Sequence, residues 1–213
     1  MTDRLIEQLV AELVPQSPLR NAMLWACGAA LLTALVAAVL ALMGLRQDYA
    51  AAMDSGAFFW KPGIFLLVLL GSLVVTTTIS RPHGRVKTYH LVPWVIALSL
   101  LIWQGVSQIR HLPLDALTQS LTDGSALYCF SVITMGGAFV LLVFWKFWLT
   151  KTASLHPVLL GLCAGISAGA MAAAAYTLHC NHDSALYVFA YYMLPVAGLG
   201  ILGGVLGKKF LRW

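Results

Sequence analysis

The chain has 213 residues, 60% of them hydrophobic and only 10% charged, with a mean hydropathy of +0.84. That composition excludes a soluble globular domain and marks an integral membrane protein. The formal net charge of +5 does not make a nucleic-acid binder, because the Lys and Arg residues are spread between apolar runs instead of sharing one face.

The opening segment reads as an amphipathic helix. Leu5, Ile6, Leu9, Val10, Leu13 and Val14 recur at helical spacing and cover one half of the cylinder. Thr2 or Asp3 can cap its start, and Pro15 and Pro18 end it. A helix lying on lipid usually carries Lys and Arg on its polar face, whereas this one offers Asp3, Glu7 and Glu12 with Arg4 alone. An acidic face beside a full apolar stripe suits a groove on a protein partner, with lipid contact or self-packing as alternatives. The polar start also lacks the short apolar core and small-residue cleavage site of a secretory signal, so it is expected to be mature sequence.

Six stretches are then long and apolar enough to span a bilayer: Asn21 to Met43, Pro62 to Ser80, Tyr89 to Ile109, Ala126 to Trp145, Leu155 to Leu178, and Ser184 to Leu206. The loops set the orientation, since Lys and Arg are retained on the cytosolic side. Arg4, Arg20, Arg81, Arg85, Lys87, Lys146, Lys151, Lys208, Lys209 and Arg212 fall on one side, while Arg46, Lys61 and Arg110 fall on the other together with Asp48, Asp54, Asp115, Asp123 and Asp183. The expected fold is therefore an all-α integral membrane protein, a six-transmembrane-helix bundle with both termini cytosolic. It divides into a docking segment over residues 1–20 and a membrane domain over residues 21–213, with loops too short to build a further domain.

The fifth run carries Gly161, Gly165 and Gly169 at intervals of four, and the sixth pairs Gly200 with Gly204 and Gly203 with Gly207. Small residues so spaced let helices approach closely, either within the hairpin these runs form or across a homodimer seam.

Four cysteines in a helical membrane protein do not build a disulfide scaffold, so each is read by its depth. Cys27 and Cys163 fall inside apolar runs and read as small packing residues. Cys129 and Cys180 fall at run ends on the side away from the cytosol, at similar depth, where a disulfide or reversible thiol switch is one reading. With His179 and His182 they also make a donor set suited to zinc or copper, although the spacing is no recognised metal motif. Plain interfacial packing is the third reading.

Nothing in the sequence speaks for catalysis. His83, His90, His111 and His156 stand isolated, and there is no HExxH, GxSxG or GxxxxGK[ST]. The apolar runs hold almost no ionisable groups, which argues against a transporter, and no CxxC pair supports a quinone-coupled thiol oxidoreductase.

Several short features act as a set: Thr2 to Ile6 with Leu9, Val10, Ala11, Glu12 and Leu13; Phe59, Trp60 and Lys61; Tyr128 and Cys129; Ala175, Tyr176, His179 and Cys180; then Gly204, Gly207, Leu211, Arg212 and Trp213. Together they resemble the NrsF family, end to end. The resemblance implies a six-helix bacterial inner-membrane anti-sigma factor that restrains an extracytoplasmic-function sigma factor. It further implies that Cys129 and Cys180 respond to heavy-metal or oxidative stress, and that the N-terminal segment docks sigma. Leu5, Ile6, Leu9, Val10 and Leu13 would then fill the sigma groove, with Glu7 and Glu12 at its rim. No direct nucleic-acid contact and no obligatory cofactor follow from it. One departure is Ala190, Tyr191 and Tyr192, where the family tends to carry a tryptophan.

Overall fold

A computed structural model describes residues 21–81, 84–111, 126–152 and 154–211, and among these residues the structure is helical without strands. The amphipathic segment and its residues Leu5 to Leu13 lie outside the described residues. The helices are α1 (Asn21–Leu42), α2 (Tyr49–Asp54), α3 (Ala57–Ile79), α4 (Val92–His111), α5 (Ala126–Phe147), α6 (Pro157–Tyr176), α7 (Ala185–Val188) and α8 (Leu194–Phe210). Among the described residues six helical spans are long and apolar enough to cross a membrane, the last running through α7 and α8 together.

The spans are unequally enclosed. In α6, 78% of the apolar window is buried, against 6% in α1 and 11% in the span containing α4. The cause lies in side-chain size, since Ala164, Ala168, Ala170, Ala173 and Ala175 are fully buried in α6 and leave room for neighbours on all sides. Packing replaces hydrophobic driving force here, because lipid is as apolar as the helix surface. A Cβ on Gly161 would land on the Gly203 carbonyl, one on Gly165 on the Leu199 carbonyl, and one on Gly207 on the Pro157 carbonyl, so α6 and α8 touch backbone to backbone. Gly169 stands against Val196, Gly200 against Ile166, and Gly204 in ordinary contact with Leu162. In the middle of α6, the Ser167 hydroxyl donates to that of Ser72 on α3 at 2.8 Å.

Three differences from the sequence reading have physical causes. The second span starts at Ala57 instead of Pro62, because Lys61 is buried with its charged tip satisfied and so does not end the helix. The sixth span widens into a π-turn at Phe189–Met193. Pro195 follows two residues later and has no N–H for the carbonyl four residues back, which an α-helical register would require. The loop after α1 folds the short helix α2, entered after Gly44 and left at Gly56, both in the left-handed region at φ 79° and 72°. Of the two cysteines read as packing residues, Cys163 is buried and Cys27 is exposed, since α1 lies at the edge of the bundle.

Candidate functional site

The ends of α3, α5 and α6 and the start of α7 converge at one end of the bundle. Cys129 lies in the first turn of α5. α6 finishes at Tyr176, and its chain curls once more: the His179 and Cys180 amides both donate to the Tyr176 carbonyl, at 3.1 and 3.2 Å. This places Cys180 over the start of α5, with 3.9 Å between the two sulfurs and only 2% and 4% of Cys129 and Cys180 exposed. Both are free thiols.

Tyrosines enclose the pair. The Tyr187 hydroxyl donates to Cys129 Sγ at 3.0 Å, and the Tyr176 hydroxyl lies 3.2 Å from the same sulfur. Tyr192 is fully buried beside them, its ring stacked on Phe65 at 5.4 Å and tilted against Tyr176 at 6.0 Å. The π-turn directs Tyr192 inward.

The turn that bears Cys180 is held from four directions. Lys61, with no exposed surface, donates from Nζ to the carbonyls of Cys180 at 3.1 Å and His182 at 2.8 Å, and its ammonium lies 5.0 Å from the Tyr192 ring centre. Asp183 accepts from Arg46 through both oxygens at 3.1 and 2.6 Å and stands 3.5 Å from Lys61. Arg46 in turn grips Asp48 at 2.8 and 2.7 Å. Gln108 at the end of α4 donates to the Asp183 carbonyl at 3.0 Å and accepts the Ala185 amide at 2.6 Å, which satisfies a free N–H at the start of α7. From behind, the Arg46 amide donates to the Leu178 carbonyl at 3.0 Å.

These contacts set the local electrostatics. The two carboxylates hold Arg46 firmly protonated, and the Arg46 guanidinium holds Asp48 below the usual carboxylate range. The Cys180 thiol is drawn below its ordinary range, first by its hydrogen bond with Cys129, then by the Lys61 charge, against the opposing effect of burial. A low-lying, hydrogen-bonded sulfur beside a second sulfur is suited to thiol exchange.

His179 and His182 do not close a metal site with the sulfurs. His179 Nδ1 lies 3.1 Å from the Gly44 carbonyl, and the His182 ring lies 4.6 Å from that of Tyr187. Among the described residues no group of three or more His, Cys, Asp and Glu side chains is placed to hold an ion. The zinc or copper set offered by the sequence is therefore not assembled, because each imidazole already has another partner.

Sequence reasoning did not single out Lys61, Arg46, Asp183, Gln108 or the three tyrosines as site residues. A signal existed for two of them. Arg46 and Lys61 stand against the charge bias of the loops, and cations kept on the wrong side need carboxylate or carbonyl partners there.

Fold and site together define a helical bundle of membrane-spanning composition that encloses a thiol pair at one end. The chain belongs to the NrsF family, described as negative regulator of sigma F, whose model matches residues 9–213. It is 29% identical over 222 residues to "Anti-sigma-F factor NrsF" of Caulobacter vibrioides, covering 100% of this chain and 99% of that relative. It is also 29% identical over 201 residues to "Probable anti-sigma-F factor NrsF" of Azospira oryzae, covering 93% and 91%. No solved structure matches the chain significantly. The resemblance carried by scattered short motifs thus extends over the whole sequence.

Proposed function

We propose that this protein holds an extracytoplasmic-function sigma factor of the sigma-F type at the bacterial inner membrane and releases it when the thiol pair reacts. In this reading both termini are cytosolic, the cysteine end faces the oxidising compartment, and residues 1–20 form the docking helix. Leu5, Ile6, Leu9, Val10 and Leu13 enter a groove on sigma, while Glu7 and Glu12 meet basic residues at its rim. Membership of a family of negative regulators supports the restraint. The observation that carries the sensing half is the 3.9 Å separation of two buried sulfurs contributed by segments far apart in sequence.

With the docking segment read as cytosolic and the cysteines as facing the opposite side, the signal passes through packed helices. α6 is the natural carrier, since Cys180 follows its last turn and α3, α5 and α8 all pack on it. To move sigma from about 1:99 to about 99:1 free, the two thiol states must differ in sigma affinity by about 5.5 kcal/mol.

The test is the double variant C129S/C180S in the native host. Its membrane abundance should match the parent, and oxidants or thiol-reactive metals should no longer induce sigma-dependent transcription. A normal induction ratio in that strain would end the sensor reading.

A further inference from the structure

We propose that Cys180 is the thiol that attacks first, that Cys129 is the thiol that resolves, and that Lys61 is the positioning residue that fixes this order. The proposal rests on the reading of the pair as reactive thiols, and it concerns chemistry that can be followed without sigma present.

The buried lysine at the Cys180 turn carries the assignment, and the hydrogen bonds accommodate it. Tyr187 donates its hydroxyl hydrogen to Cys129 Sγ. The Cys129 sulfur is thereby an acceptor, and two atoms lie within reach of its own hydrogen, Tyr176 Oη at 3.2 Å and Cys180 Sγ at 3.9 Å. When the Tyr176 hydroxyl donates to Cys129 as Tyr187 does, the Cys129 hydrogen points to Cys180 and the chain ends there, on the sulfur where negative charge collects. The buried cation stands at the same end. Lys61 Nζ rests on the carbonyl of Cys180 itself, and the acid it could neutralise, Asp183, gives its shorter contacts of 2.6 and 3.1 Å to Arg46 and lies 3.5 Å from Lys61. Lys61 therefore retains positive charge to offer the adjacent sulfur.

Cys180 sits in a turn and Cys129 within a helix, with Tyr176, Tyr187 and Cys180 around the Cys129 sulfur. The ionisable neighbours of the Cys180 turn are Cys129 from α5, Tyr176 and His179 from the end of α6, and His182 and Asp183 from the turn. Tyr187 and Tyr192 face it from the sixth span, Lys61 from α3 and Arg46 from the loop after α1.

With a thiosulfonate as oxidant the steps balance. The Cys180 thiolate attacks the sulfenyl sulfur of methyl methanethiosulfonate, forms a Cys180 methyl disulfide and expels methanesulfinate. The Cys129 thiol then attacks Cys180 Sγ, forms the Cys129–Cys180 disulfide and expels methanethiol, which takes the Cys129 proton.

The experiment uses the full chain purified in detergent micelles, with methyl methanethiosulfonate as probe and mass spectrometry locating the methylthio group. In C129S, Cys180 should be modified at least about tenfold faster than Cys129 is in C180S, and the parent should lose the adduct as the disulfide forms. In the C129S background, K61Q should slow modification about tenfold, whereas K61R, which keeps the charge, should remain within about threefold of its parent. Faster modification of Cys129 than of Cys180 would overturn the order. A K61R rate as low as that of K61Q would overturn the role of the charge. If K61Q does not fold, K61M in the same background takes its place with the same expected loss of about tenfold, and the C129S and C180S rates with Lys61 intact still decide the order. Failure of sigma release in cells with the predicted modification order intact would instead count against the functional reading alone.

Discussion

Arg46 Nη2 lies 2.6 Å from Asp183 Oδ2, joining the loop after α1 to the turn after Cys180 across 137 positions of sequence. The Arg46 side chain is 1% exposed, so its charge depends on the carboxylates of Asp48 and Asp183.

Removing one partner of such a buried pair strands the other. D183N should destabilise the bundle by about 3–5 kcal/mol at most, the upper range for an uncompensated buried charge, with Asp48 retaining part of the interaction. Thermal unfolding in detergent measures the loss. Because the same turn carries Cys180, D183N should also raise the rate at which bulky maleimides reach the thiols. An unchanged melting temperature would mean the ion cluster contributes nothing to holding the turn.

Acid should loosen the same cluster from its other side. Arg46 holds Asp48 below the usual carboxylate range, so this group stabilises the fold at neutral pH, and the contribution is lost as pH falls through the depressed folded value. The window therefore opens below about pH 3.9, the ordinary aspartate value, and stability should be flat with respect to Asp48 above about pH 5. In melting curves, D48N should show a shallower acid decline than the parent. Equal declines would place the acid sensitivity elsewhere.

The α6–α8 seam makes a contrast between glycines. Gly165→Ala places a methyl on the Leu199 carbonyl, and Gly161→Ala places one on the Gly203 carbonyl, whereas nothing stands within 4 Å of a Cβ at Gly198. The first two should each cost about 1–3 kcal/mol by overpacking, and Gly198→Ala should be neutral or slightly stabilising. If all three melted alike, the close approach of the two helices would not be limiting.

The docking segment is tested through its apolar stripe. Leu9→Asp puts a charge on the face proposed to enter the sigma groove, and sigma should no longer co-purify with membranes carrying that variant. Retention of sigma at the parent's yield would remove the segment from the interface.

The sequence by itself determined the elements. Hydropathy over about 20 residues is a local property, so the six spans, the hairpin of the last two and the cysteines at span ends all follow from composition and spacing. It also contained enough scattered identity to indicate the family. What only the tertiary structure decided is which residues meet. Cys129 and Cys180 are separated by 51 positions, Lys61 and His182 by 121, and their contacts depend on how six helices rotate about their axes. Nearly uniform apolarity around each helix gives little azimuthal signal for that rotation, because lipid and neighbouring helices are alike to a Leu side chain. The structure therefore supplied the two facts that local pattern could not hold: the imidazoles are engaged with Gly44 and Tyr187, and a buried lysine stands over the cysteine turn.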